Sequence, residues 1–151
     1  MERYKNPSAV MIMLVRDNGG VEEILLQKRK GKRWESGFYG LSAAGHVEKN
    51  ESMISAICRE TKEEIDVEIF PDNLEFVCLI HANFEEVSYY NGYFKSTKWE
   101  GIPKINEPEK CSDLIWVNIN NLPSNILPDR KLCIENYKNN IKYSEFGWVN
   151  D

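Results

Sequence analysis

Residues 45–67 read GHVEKNESMISAICRETKEEIDV and constrain the fold more than any other stretch of the chain. A loop over 45–50 gives way at Glu51 or Ser52 to a helix ending near Ile65. At about 100° per residue, Ile54, Ile57, Cys58, Thr61 and Ile65 share one side, the face expected to pack on a sheet. Glu60, Glu63 and Glu64 stand at i, i+3 and i+4, so their carboxylates meet on an adjacent face, with Ala56 one turn back. Like charges at this spacing cost a few tenths of a kcal/mol per pair. The residues alone leave two readings of that face: a solvated acidic surface, or a site where a divalent cation offsets the repulsion. Hard Mg²⁺ prefers carboxylate oxygens and completes its shell with water and substrate phosphate.

The flanks supply the partner layer. Ser8 to Arg16 and Val21 to Lys28 are rich in Val, Ile and Leu and are joined by Asp17-Asn18-Gly19-Gly20, a hairpin signal. A short strand is predicted near Phe38 to Ser42. Further strands are predicted over Leu74–Ala82, Val87–Ser96 and Leu114–Ile119, and Pro128 suits the first position of a final helix reaching about Asn140. Strands on both sides of one helix, with a second helix near the end, imply an α/β (α+β) chain: an αβα sandwich with a mixed β-sheet between helices. With no internal repeat and no long linker, residues 1–151 are expected to form a single domain.

Composition narrows the function classes. The chain has 151 residues, 42% hydrophobic and 28% charged, which is ordinary globular chemistry. The apolar run Ala9–Val15 is too short to span a bilayer and lacks the layout of a signal peptide, so no membrane association is expected. Cys58, Cys78, Cys111 and Cys133 are scattered without a CxxC pair, which suits reduced thiols and a cytoplasmic location. A net charge of −5 argues against binding duplex DNA through the whole surface. One segment departs from that average: Lys28-Arg29-Lys30-Gly31-Lys32-Arg33 holds five cations in six residues.

Gly45, Glu51, Arg59, Glu60, Glu63 and Glu64 together spell G-x5-E-x7-R-E-x-x-E-E. This resembles the signature of the Nudix hydrolases, which act on nucleoside diphosphates linked to another moiety. The likeness extends over nearly the whole chain and is nearest to the MutT-like members, which release pyrophosphate from nucleoside triphosphates. It implies an enzyme whose cofactor is Mg²⁺ (or Mn²⁺), whose partner is a small nucleotide, and whose reaction is attack of water on phosphorus with a glutamate taking the proton. A homodimer is compatible with this reading. The chain departs at Asp66, where the family usually has Gly. There Gly ends the helix at positive φ, which Asp tolerates at some cost.

The resemblance also implies roles for particular residues. Glu60, Glu63 and Glu64 would bind the metal, with the Ala44 carbonyl as a further ligand, and Glu51 and Arg59 would form the ion pair tying loop to helix. A last acidic ligand follows a W-E-G-x-P stretch in the family. Here Trp99-Glu100-Gly101-Ile102-Pro103 precedes Glu107. Arg29, with Lys28 beside it, matches a substrate-binding position. Asp129, after Pro128, matches an Asn or Asp that hydrogen-bonds the purine edge, although it also suits the helix dipole. Trp34, Phe38 and Tyr39 are candidates for stacking on a base. Tyr143-Ser144-Glu145-Phe146-Gly147-Trp148 resembles a tail of some Nudix hydrolases and is expected to dock on the core.

Other substrates fit the same signature: ADP-ribose, nucleotide sugars or RNA 5′ ends. Ser42-Ala43-Ala44-Gly45-His46-Val47 resembles a stretch of isopentenyl diphosphate isomerases, but His46 and His81 are the only histidines and no matching cysteine motif is present. A ligand sensor without catalysis is disfavoured because every carboxylate of the signature is present.

Overall fold

The strand β1 (Ser8–Asn18) runs through the centre of the sheet and buries both of its faces. The computed structural model describes residues 2–31 and 35–149. Val10, Ile12 and Leu14 point to one side and Met11, Met13 and Val15 to the other, as a period of two requires. Each such side chain contributes roughly 1.5–3 kcal/mol on burial. A continuous apolar run therefore marks a strand covered on both sides.

After β1 come β2 (Val21–Arg29), β3 (Tyr39–Gly40), β4 (Ala43–His46), α1 (Met53–Ile65), β5 (Glu75–Phe84), β6 (Val87–Ser96), β7 (Cys111–Asn118), α2 (Pro128–Asn139) and β8 (Tyr143–Phe146). The eight strands form a mixed sheet ordered β3-β2-β1-β6-β5-β8, with β4 also on β1 and β7 also on β2. The pairs β1–β6 and β5–β8 are parallel. β1 changes partner along its length: Ala9–Ile12 pairs with β4, and Val15–Asn18 pairs with β2. The β1–β2 hairpin turns at Gly19 and Gly20, both at positive φ, and the Gly20 N–H donates to Asp17 Oδ1 at 2.8 Å. That turn matches the twist of the strands it joins.

The helix α1 packs on the Val10-Ile12-Leu14 face and α2 on the opposite face through Cys133 and Ile134, giving helices on both sides of the sheet. Ser52 caps α1, its side chain accepting from the Ser55 N–H at 3.0 Å. In α2, Pro128 takes the first turn, where its missing N–H costs nothing, and Asn140 ends the helix in the left-handed region.

Three local features differ from the sequence reading. Ala56 is fully buried, whereas Ile54 is 41% exposed, so α1 is turned further toward Ala56 than its apolar pattern indicates. Gly45 and His46 belong to β4 and not to a loop, because pairing with β1 imposes the strand on small residues. The predicted strand near 38–42 is the two-residue β3. The tail docks on the core as expected, adding to the sheet as β8 and latched by Trp148 Nε1 donating to the His81 carbonyl at 2.9 Å.

Asp66 ends α1 at φ 56° and ψ 38°, in the left-handed region. Its carboxylate also meets Lys62 at 3.0 Å and Lys104 at 3.3 Å, contacts that glycine would forgo. Asp66→Gly therefore exchanges two exposed ion pairs for relief of backbone strain. Its melting temperature is expected within about 3 °C of wild type. A larger fall in a thermal melt would contradict this balance.

Candidate active site

The end of α1 and the strands beside it wall a cleft of about 950 Å³. Its lining includes Arg29, Ala44, Arg59, Glu60, Glu63, Glu64, Glu107 and Asp129, which come from five separate parts of the chain. Glu51 and Lys28 do not line it. Glu51 reaches it through Arg59, and the Lys28 ammonium lies 5.8 Å from the centre of the Tyr39 ring.

Arg59 is the hub of the acidic end. Its Nε donates to Glu51 Oε2 at 2.8 Å and its second guanidinium nitrogen to Glu51 Oε1 at 3.0 Å, a two-point pair. The same side chain reaches the His46 carbonyl at 3.2 Å, Glu60 at 2.8 Å and Glu63 at 3.4 Å. It thus stitches the loop before α1 to the helix. The hydrogen bonds from Arg59 hold the Glu51 carboxyl down at about 2, and in return Glu51 raises the guanidinium above its ordinary value.

Glu64 lies deeper. Gln27 Nε2 donates to its Oε1 at 2.8 Å, and the Ala44 N–H lies 3.5 Å from the same oxygen. Burial, opposed by the Gln27 hydrogen bond and reinforced by Glu60, pushes the Glu64 carboxyl up to about 8. Between its ordinary 4.5 and about 8, the folded chain keeps a proton that the unfolded chain has shed. Stability without added metal therefore falls as pH rises through that window. The Glu51 contribution has the opposite sign and acts lower, being lost as pH drops from 4.5 through about 2. Melting temperatures between pH 5 and 8 are expected to decline in the wild type and to stay flat in Glu64→Gln. Equal slopes in the two proteins would contradict the burial of this carboxylate.

The loop holding Glu107 is fixed by the helix it faces. Carbonyls in the last turn of a helix lack partners within it. Here Lys104 N–H donates to the Ile65 carbonyl at 3.0 Å, Asn106 N–H to that of Glu64 at 3.1 Å, and Asn106 Nδ2 to that of Glu63 at 2.9 Å. Glu107 is thereby brought to the cleft, with Lys110 3.5 Å from its carboxylate.

Gly45 keeps the acidic end open. A Cβ there would overlap the Glu60 side chain. Among the described residues, no group of three or more His, Cys, Asp or Glu side chains stands ready to hold a metal ion. Arg59 draws on Glu60 and Glu63, while Gln27 holds Glu64.

At the α2 end, Asp129 is 3% exposed and accepts from Tyr93 Oη at 3.3 Å and from Arg130. Asn91 Oδ1 and Arg130 Nε, in residues lining the cleft, are buried without a protein partner. Arg29 and Lys30 bring positive charge to the rim, and Arg29 stands 3.6 Å from Glu35. Phe38 and Tyr39 do not line the cleft, and Tyr39 is buried with its hydroxyl 3.3 Å from Asp113. Trp34, Lys32 and Arg33 lie outside the described residues. His46 lines the cleft and contacts Tyr89 Oη at 2.9 Å, whereas His81 stacks on Tyr90.

Gln27, Asn91 and Arg130 were not singled out by the sequence reading. Gln27 had a visible signal: a polar residue directly after Ile24-Leu25-Leu26, in phase with buried Leu25. Asn91 and Arg130 carried none.

A family model described as the NUDIX domain matches residues 5–137. The chain belongs to the Nudix family. It is 30% identical over 131 residues to the NAD-capped RNA hydrolase NudC of Stutzerimonas stutzeri, covering 87% of this chain. That match takes in 43% of NudC, so the chain spans less than half the length of this curated relative. Among solved structures, the MutT Nudix hydrolase of Burkholderia pseudomallei superposes with a TM-score of 0.78 at 24% identity, covering 88% of this chain and 98% of that one. The Nudix domain of Shewanella oneidensis NrtR, solved with ADP ribose, gives a TM-score of 0.72 at 17% identity, over 93% of this chain and 91% of its own. At these identities the structures establish a MutT-like Nudix fold: a mixed sheet with two helices. No helix among the described residues is long and apolar enough to cross a membrane.

Proposed function

We propose that this Nudix chain hydrolyses the diphosphate linkage of a nucleoside triphosphate or related nucleoside diphosphate derivative. The observation that carries this reading is the meeting of Glu60, Glu63, Glu64 and Glu107 with Arg29 in one cleft. The donor set suits a hard divalent cation, Mg²⁺ or Mn²⁺, because it is all oxygen and includes a buried carboxylate beside a second one. Glu60, Glu63, Glu64, Glu107 and the Ala44 carbonyl would hold the cation. Once bound, it would neutralise phosphate charge and acidify water. Arg29 grips phosphate oxygens, and Asp129, which also lines the cleft, receives a base N–H. Arg59 and Glu51 keep the preceding loop against the helix so that the carboxylates stay in place. A carboxylate oxygen of a helix glutamate takes the proton of the attacking water.

The similarity to NudC favours a second reading within the same chemistry, a dinucleotide diphosphate such as an NAD cap. The location in this account is cytoplasmic. Turnover with Mg²⁺ on nucleoside triphosphates, ADP-ribose, nucleotide sugars, NAD and NAD-capped RNA separates these classes. The expected result is cleavage at a diphosphate in at least one of them, with pyrophosphate release marking the triphosphate class. Binding without turnover across the panel would contradict a hydrolase and favour a sensor.

A further inference from the structure

We infer that Gln27 is a positioning residue for Glu64, fixing which carboxylate oxygen faces the cleft. This inference rests on the proposed role of Glu64 in the hydrolase.

Gln27 is 4% exposed and occupies a phase of β2 in which the neighbouring inward residue, Leu25, joins the α1-side core. An apolar side chain would satisfy that position, and burying an amide is costly without partners. Both of its amide hydrogens have partners. One goes to the Ser42 carbonyl at 3.2 Å and the other to Glu64 Oε1 at 2.8 Å.

The anchor is rigid. The Ser42 hydroxyl donates to the Leu25 carbonyl at 2.7 Å and accepts from the Leu14 N–H at 2.9 Å, and the Ser42 N–H donates to the Ile12 carbonyl at 3.0 Å. The Gln27 backbone is paired on both edges, to Gly40 and to Leu114. A side chain held this firmly pins Glu64 Oε1 toward the sheet, so that ligation would fall to the other carboxylate oxygen. Outer partners of this kind orient ligating carboxylates, and their loss typically costs about 10–100-fold in metal affinity or activity.

The test compares wild type, Gln27→Met, Glu64→Gln and the double variant. Met matches the unbranched shape of Gln and removes the donor. Four quantities are read: kcat and KM on the best substrate, Mn²⁺ affinity by calorimetry without nucleotide, and melting without metal. Gln27→Met is expected to lower kcat and weaken Mn²⁺ binding about 10–100-fold, with KM within about twofold and a near-wild-type melt. In the Glu64→Gln background the same substitution is expected to change neither by more than about twofold, because the ligating carboxylate that Gln27 orients is gone even though the amide carbonyl can still accept from it.

Wild-type kcat and Mn²⁺ affinity in Gln27→Met, with Glu64→Gln inactive, would overturn this inference and leave the hydrolase reading standing. Equal losses in both backgrounds would also overturn it, showing an action independent of Glu64. Full activity in Glu64→Gln would instead remove the underlying reading. Should Gln27→Met melt below the assay temperature, Gln27→Asn, which withdraws the amide by one methylene, serves the same comparison.

Discussion

Glu64→Gln is expected to lower hydrolysis by at least about two orders of magnitude while leaving the metal-free protein as stable as wild type or more so. The two effects have one cause. Glu64 sits beside Glu60 in a poorly solvated place that disfavours its charged form. Replacing the carboxylate with an amide of the same shape relieves that cost, and the new side-chain carbonyl can still accept from Gln27. The same substitution removes a negative charge from the set proposed to hold the cation. A structural ion-pair network would behave otherwise, since removing a charge would lower stability together with any activity. Turnover and metal-free melting, measured on the same preparation, decide between the two. Undiminished hydrolysis by Glu64→Gln would contradict the proposed mechanism.

Gly45→Ala is expected to have a comparable effect on activity through geometry alone. Gly45 does not have the positive φ that would favour glycine by conformation. What requires glycine is space, because a Cβ there would overlap Glu60 at its Cγ, Cδ and Oε1. The end of a glutamate can swing away cheaply, so the fold should survive with a melting temperature a few degrees lower at most. The Glu60 carboxylate is then displaced by about 1 Å or more, and misplacement on that scale can cost about 100-fold in rate. A variant with wild-type turnover would show that the position of Glu60 matters less than proposed. A melt collapsing by tens of degrees would show that the strand, not the side chain, has to yield.

The sequence carried much of this architecture because several signals were local. The unbroken apolar run Val10 to Val15, the Gly19-Gly20 turn, Ser52 as a cap and Pro128 at the start of α2 each act through neighbouring atoms. Residues whose conformation depends on distant partners were harder to read. Ala43–His46 has little intrinsic strand preference and becomes a strand because β1 offers it an open edge. Tyr143–Phe146 is short and largely polar and pairs in parallel with Leu79–Ala82, a register that its own residues do not specify.

The candidate site shows the same division. The spacing of Glu60, Glu63 and Glu64 is written along one helix. Their depth is not, since it depends on how far α1 turns toward Ala56. That turn leaves Glu63 half exposed and carries Glu64 to Gln27. Glu107 was legible as a position in a motif, while the reason it reaches the cleft lies in the helix carbonyls that Lys104 and Asn106 satisfy. Lys28 stands beside Arg29 in sequence, yet its ammonium lies over Tyr39 and away from the cleft, as neighbours on a strand point to opposite faces.

The central claim is cation-dependent attack of water on a phosphorus of a nucleotide diphosphate. Turnover of the best substrate in ¹⁸O-enriched water, with Mg²⁺ and then with the cation chelated, tests it most directly. The account predicts one ¹⁸O per turnover, bound to phosphorus in one of the two products, and loss of turnover on chelation. Unlabelled or rearranged products, or an undiminished rate in the chelator, would contradict it.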